Sequence, residues 1–251
     1  MTLQEDLDKL AAWEDKWKMQ FHPQKCSVLR LTRSRSPKIY QYKLHGHILE
    51  SEMNSKYLGV IINSKLSWNN HIDNICTKAN SSLAFLRRNL QISQQHIKEK
   101  AYNTLVRPQL EYAASVWDPY TKQKQQQIEM VQRRAARFVV RNYEREASVT
   151  AMLQSLGWRS LQQRRADIRL IMLYKCIHGI VAVDLSSDLK KLPRTSRHSH
   201  SMSFQIPSET KQYIQMSFLP RTIVQWNKLP ASIALASSLE TFKAGVSGIT
   251  H

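Results

Sequence analysis

Leu3, Leu7, Leu10, Trp13 and Trp17 recur every three or four positions, so residues 2–20 are expected to form an amphipathic helix ending near His22-Pro23. Thr2 and Glu5 have the spacing of a capping box at its start. The period then changes. Cys26, Val28, Leu29 and Leu31, then Ile39, Tyr40, Tyr42 and Leu44, then Ile48 and Leu49, then Tyr57 to Ile62 form short apolar runs. Turn-prone stretches at Ser34–Pro37, His45–His47 and Glu52–Ser55 separate them, and the pattern predicts four short antiparallel strands.

Beyond Ser67, an expected N-cap, Trp68, Ile72, Ile75, Ala79, Leu83, Leu86 and Leu90 mark a long helix. A second helix is expected from Ser93 to Trp117, interrupted at Pro108, which lacks the N–H donor. A third should open at Asp118-Pro119 and carry Ile128, Val131, Ala135 and Phe138 on one side. Residues 147–155 and 159–178 also read as helices, stopped by Gly157 and Gly179. Residues 188–212 are serine-rich and basic with few apolar side chains, the composition of a flexible linker. Phe218, Ile223, Trp226 and Leu229 precede a last helix near 238–246. The fold class expected is α+β. A partial sheet domain (1–64) is followed by a helical region (65–145), a further helical region (146–187), the linker (188–212) and a small terminal segment (213–251).

Charge narrows the function. The 251 residues carry a formal net charge of +18, and the pI is about 10.0. The surplus is +3 over residues 1–60, +8 over 61–145 and +7 over 146–251. Such a field attracts polyanions, foremost RNA and DNA, through counterion release. Arginine dominates the central surplus, whereas a membrane surface favours lysines flanking a bulky aromatic face, so no membrane partner is expected. No apolar run approaches a bilayer span or a signal peptide, and Cys26, Cys76 and Cys176 are too few for a disulfide framework. A nuclear or cytoplasmic chain is expected, not a secreted one.

The chemistry of a metal-dependent or nucleophilic enzyme is missing. There is no Asp-Asp pair, no phosphate-binding glycine loop, no second Cys-x-x-Cys half and no local nucleophile signature. Arg133, Arg137 and Arg141, by contrast, recur at four-residue spacing with Arg134 beside them. That stripe is either a track for phosphates or a solvated helix face. Arg87-Arg88 and Arg164-Arg165 are further candidates for phosphate contacts.

Phe21-His22-Pro23-Gln24-Lys25-Cys26 after an amphipathic helix, followed by a strand and then Lys56-Tyr57-Leu58-Gly59-Val60, resembles the end of the palm domain in reverse transcriptases of non-LTR (LINE, jockey-like) retrotransposons. Leu66-Ser67-Trp68, Val106-Arg107-Pro108, Gln132-Arg133-Arg134-Ala135-Ala136-Arg137, Leu156-Gly157-Trp158 and Pro220-Arg221-Thr222-Ile223 continue the resemblance in order. It implies a palm remnant, a thumb-like bundle and a C-terminal region. It also implies that Lys25 lies near an incoming triphosphate as an auxiliary general acid, and that Tyr57, Leu58 and Gly59 form a primer-grip hairpin. His22 stands where the family usually has asparagine. The Asp-Asp strand that holds Mg2+ in the family would precede Met1, so the chain alone is expected to bind no cofactor and to be inactive. Two readings stay open: a truncated RNA-directed DNA polymerase, or a non-enzymatic protein derived from one and retained for binding RNA, RNA–DNA or DNA duplex.

Overall fold

The computed structural model describes residues 2–192, 200–208 and 210–249. They form two compact units with the boundary between Asn74 and Ile75, inside the helix Asn69–Asn89.

The first unit opens with α1 (Leu3–Trp17). The Thr2 side chain accepts from the Glu5 N–H, the Glu5 carboxylate accepts from the Thr2 N–H, and Lys18 closes the helix in a left-handed conformation. Its apolar side is not covered as the periodicity suggests. Leu3, Leu10, Trp13 and Trp17 stay 40–59% exposed, with Trp13 stacked on Phe21 at 6.2 Å between ring centroids. Glu14 is the buried residue of α1, and its carboxylate accepts from the Phe21 N–H and pairs with the His45 ring. The reason lies in the sheet, which is too fragmented to offer a wide apolar surface.

Instead of one antiparallel sheet the described residues form three strand pairs. β1 (Ser27–Leu29) runs parallel to β4 (Glu50–Glu52), β2 (Lys43–Leu44) pairs antiparallel with β3 (His47–Ile48), and β5 (Asn54–Tyr57) pairs antiparallel with β6 (Val60–Asn63). The strand expected at 39–44 shrinks to Lys43–Leu44, and Ile39 and Tyr40 lie exposed. The β5–β6 turn is Leu58-Gly59, with φ of +45° and +85°. Two successive positive φ values match the right-handed twist of the flanking strands, and glycine carries the larger one without a Cβ clash. The Ile61 N–H donates to His71 Nδ1 at 3.2 Å, tying this hairpin to the start of the next helix.

α2 (Asn69–Asn89) begins two residues after the expected cap and ends as expected. The segment expected as one helix from Ser93 is four pieces: α3 (Gln95–Ala101), a π-helical turn (Tyr102–Val106), α4 (Arg107–Glu111) and α5 (Ala114–Trp117). Gln94, not Ser93, is the N-cap residue. Pro108 sits in the first turn of α4, where its missing N–H costs least, and the wide turn before it absorbs the change of register.

α6 (Lys122–Val140) starts after Thr121 rather than at Asp118-Pro119, because Asp118 is occupied elsewhere. α7 (Val149–Ser155) and α8 (Leu161–Ile177) follow, the latter with a Ser160/Gln163 capping box. Gly157 and Gly179 both have positive φ, as helix stops require.

α8 is the axis of the second unit. Leu170, Leu173 and Tyr174 share one core with Phe204, Ile223, Trp226, Phe242 and Val246. That core also takes in α10 (Phe218–Trp226) and α12 (Leu239–Ser247), with the short α9 (Gln212–Gln215) and α11 (Ala231–Ala234) between and before them. The expected linker is therefore partly structural. Lys191 and Phe204 form a β-bridge, and His200, Ser203 and Phe204 are buried, whereas 193–199 and Glu209 lie outside the described residues. The boundaries expected at 145/146, 187/188 and 212/213 thus all fall inside one compact unit. The linker composition misleads because a few residues suffice to dock it: the Asn227 amide exchanges two hydrogen bonds with the Phe204 backbone, at 2.9 and 2.7 Å. Among the described residues no helix is long and apolar enough to cross a membrane.

Candidate nucleic-acid interface

α2 buries Ile75, Ala79, Leu83 and Leu86, which leaves Arg87 and Arg88 of its last turn exposed. Opposite them α6 ends at Arg141, whose φ of +57° closes the helix through its N–H to the Arg137 carbonyl. Between them lies a groove of about 500 Å3, lined by Arg87, Arg88, Gln91, Lys98, Phe138, Arg141 and Tyr143 with Ala84. Residues far apart in the chain thus meet. The Arg87 guanidinium lies 5.3 Å from the centroid of the Tyr143 ring, and Tyr143 is 53% exposed. Among the described residues no carboxylate lines the groove.

Lys98 lies in an ordinary charged stretch of sequence, yet it is 1% exposed. Its ammonium donates to the Gln91 carbonyl at 3.2 Å and lies 5.4 Å from the Phe138 ring centroid. Burial, then the charge of Arg141, holds its pKa below the usual 10.5. The signal available in the sequence was phase: Lys98, Tyr102, Val106 and Leu110 are four apart, and all four are buried. Four cations around one concavity suit phosphodiester oxygens, and Tyr143 offers a face on which a base can stack.

Depression of the Lys98 pKa fixes a sign. Between its folded value and 10.5 the unfolded chain binds more protons, so this group's contribution to stability grows as pH rises through that window and is lost as pH falls. Lys98→Met is expected to remove that rise. Denaturation midpoints at pH 7 and pH 10 check it: the variant's advantage over the parent should be larger at pH 7, and a difference independent of pH rejects the assignment.

The remaining arginines divide. Arg133 is half-buried and Arg134 exposed on α6, the latter donating to Asn80 Oδ1 at 3.1 Å. Arg137 turns to the loop after α6 and donates to the Glu144 carbonyl at 2.9 Å and the Ala147 carbonyl at 3.4 Å. The four-residue stripe is therefore not one free track, since Arg137 closes a loop and Arg141 belongs to the groove. Arg164 forms a two-pronged pair with Glu111. Arg165 is fully buried and donates from Nε to Asp118 Oδ1 at 2.7 Å. Arg164 therefore presents no free fork, and Arg165, whose terminal nitrogens have no partner among the described residues, is shut away from the surface by its burial. Adjacent residues on a helix diverge by about 100°, so the pair splits between two different carboxylates.

Lys25 ends an exposed 3-10 turn (Pro23–Lys25), and Tyr57 and Leu58 are 65% and 73% exposed on the β5–β6 hairpin. Among the described residues no three His, Cys, Asp or Glu side chains gather where a metal ion could be held.

The chain has named relatives. It is 28% identical over 144 residues to the probable RNA-directed DNA polymerase from transposon BS of Drosophila melanogaster, a stretch covering 55% of this chain and 16% of that protein. It is 23% identical over 213 residues to the RNA-directed DNA polymerase from mobile element jockey of the same fly, covering 78% of this chain and 23% of the relative. The jockey polymerase of Drosophila funebris is 31% identical over 125 residues, 46% of this chain and 13% of the relative. No protein-family model and no solved structure matches the chain. The chain therefore spans less than a quarter of the length of these relatives, and over as much as 78% of its own length it is similar to RNA-directed DNA polymerases of Drosophila mobile elements.

Proposed function

We propose that this chain is a template- and primer-holding part of a non-LTR retrotransposon reverse transcriptase, able to bind RNA, RNA–DNA or DNA duplex and inactive as a polymerase by itself. The observation that carries the reading is the groove. Arg87, Arg88 and Arg141 come from two helices to one carboxylate-free concavity beside an exposed tyrosine, the combination that tracks a sugar–phosphate backbone. Similarity to RNA-directed DNA polymerases supports the ligand class. The sequence has no adjacent aspartates to hold two cations, which supports the inactive part of this reading. In this reading the exposed Leu58-Gly59 turn sets a primer end, and Lys25 stands near the triphosphate as an auxiliary acid.

The test is a salt titration. Binding of a fluorescent RNA–DNA hybrid should weaken linearly in log–log form, and Arg87→Ala, Arg88→Ala and Arg141→Ala together should reduce the slope by about 2 to 3, at roughly 0.7–0.9 per phosphate contact. An unchanged slope removes the groove as the interface. Primer extension with Mg2+ or Mn2+ is expected to give no product, and sustained synthesis by the purified chain overturns the claim of inactivity.

A further inference from the structure

We propose that the second unit carries a separate site for a phosphate group, built on Arg169 of α8 and Arg221 of α10. A cavity of about 170 Å3 is lined there by Arg169, Arg221, Gln162, Gln163, Gln225 and Ser160, with Ala166. Asp118 is the carboxylate shared by three guanidinium groups. Arg165 reaches it at 2.7 Å, Arg221 at 3.2 Å, and Arg169 also pairs with it. One carboxylate against three buried or nearly buried cations leaves a surplus of positive charge where burial is costly.

The surplus has unused donors. Arg169 lines the cavity at 2% exposure, and its Nε has no hydrogen-bond partner among the described residues; Arg165, also with unpartnered terminal nitrogens, adds charge behind it without lining the cavity. Arg169 Nη2 donates to Gln225 Oε1 at 2.7 Å, and Arg221 Nη1 reaches the Asp118 and Pro119 carbonyls at 3.3 and 3.4 Å. Burial depresses all three guanidinium groups, Arg165 to about 10, Arg169 to about 9 and Arg221 to about 10, with Arg221 adding to the effect on Arg169 and Arg165 to that on Arg221. All remain cationic at neutral pH. The Glu129 carboxylate already accepts from the Leu161 and Gln162 N–H groups at 3.2 and 2.7 Å, so the helix end itself is satisfied. An anion here would be held by guanidinium and amide side chains.

A tetrahedral dianion matches such an array, since its several oxygens can accept from the unpartnered Arg169 Nε–H together with the Arg221 guanidinium and the glutamine amides that line the cavity. The phosphate could be a free ion or the 5′ terminal group of a nucleic acid strand, and the two are separable. In the background of the triple groove variant, thermal unfolding and calorimetric binding are followed with inorganic phosphate, with a 5′-phosphorylated oligonucleotide and with the same oligonucleotide lacking the phosphate. Chloride at equal ionic strength is the control. Gln162→Glu places a carboxylate at the exposed rim of the cavity without touching the Asp118 cluster, and Arg221→Gln removes a donor. Saturable binding of phosphate, weakened at least ten-fold by Gln162→Glu, supports the site. A ten-fold gain of the phosphorylated over the plain strand, lost in Gln162→Glu, assigns it to a strand end, and no gain assigns it to the free ion. Stabilisation equalled by chloride, or binding unaltered in both variants, overturns the proposal. Because the groove arginines are absent from this background, failure here leaves the nucleic-acid reading untouched.

Discussion

Replacing Asp118 with alanine is expected to destabilise the unit 75–251 by about 3–5 kcal/mol, a large fraction of the roughly 5–15 kcal/mol that holds an ordinary domain folded. Three guanidinium groups converge on this carboxylate, and Arg165 and Arg169 have relative exposures of 0% and 2%. Without it, two or three buried cations face one another. Arg165 alone can then draw on the field of Glu129 and Glu111, which already counters its desolvation. The penalty is that of uncompensated buried charge rather than of one lost hydrogen bond. Urea denaturation followed by near-UV circular dichroism measures it, and a loss below about 1 kcal/mol shows that the cluster is solvated and of little structural weight. Asp118→Asn keeps the shape and removes the charge, so it separates electrostatics from packing: most of the loss should persist.

Trp226→Ala is expected to cost about 3–5 kcal/mol as well, through a different mechanism. Its indole is fully buried, 5.6 Å from the Phe242 ring and 6.4 Å from that of Phe204 between centroids, and its Nε1 donates to the Met202 carbonyl at 2.8 Å. The Trp226 carbonyl bonds the buried His200 ring at 3.0 Å. Truncation therefore opens a cavity and strips residues 200–204 of their main anchor. Limited proteolysis should then cut between 200 and 208 at a protease level that spares the parent. A variant that loses stability yet keeps this segment resistant shows that the Asn227 bridge to Phe204 suffices. Trp226→Phe keeps an aromatic ring but orphans the Met202 carbonyl, for a smaller loss of about 1–3 kcal/mol.

The two substitutions act on faces of the same short helix. α10 offers Arg221 to Asp118 and Trp226 to the core, so a polar cluster and an aromatic core jointly hold the C-terminal segments to α8. Sequence order hid this. Asp118 and Arg221 are separated by 103 residues, and an aspartate before proline reads locally as a helix cap. Linker-like composition between them concealed that Phe204 is a core residue.

Elements whose information is local were legible. The Thr2/Glu5 capping box, the span of α2, the glycine stops at 157 and 179, and the final helix from Leu239 depend on neighbours within about four residues, and each lies where its pattern placed it to within two residues. The short strands were not, because a run of two to four residues is decided by the partner it finds. Ser27–Leu29 found Glu50–Glu52 in parallel, and Ile39-Tyr40 found none among the described residues.

Candidate chemistry divides in the same way. The excess of arginine, the lack of an acidic pair and the Tyr57-Leu58-Gly59 motif are properties of the amino-acid order, and they determined by themselves that this is a basic chain whose residues point to polyanions. Which arginines remain free was decided only by the tertiary structure. A guanidinium is available to a ligand through those of its N–H groups that no carboxylate or carbonyl takes up. Asp118 and Glu111 captured Arg165 and Arg164, while Arg87 and Arg88 at the end of α2 and Arg141 at the end of α6 came to line one groove that holds no acid among the described residues.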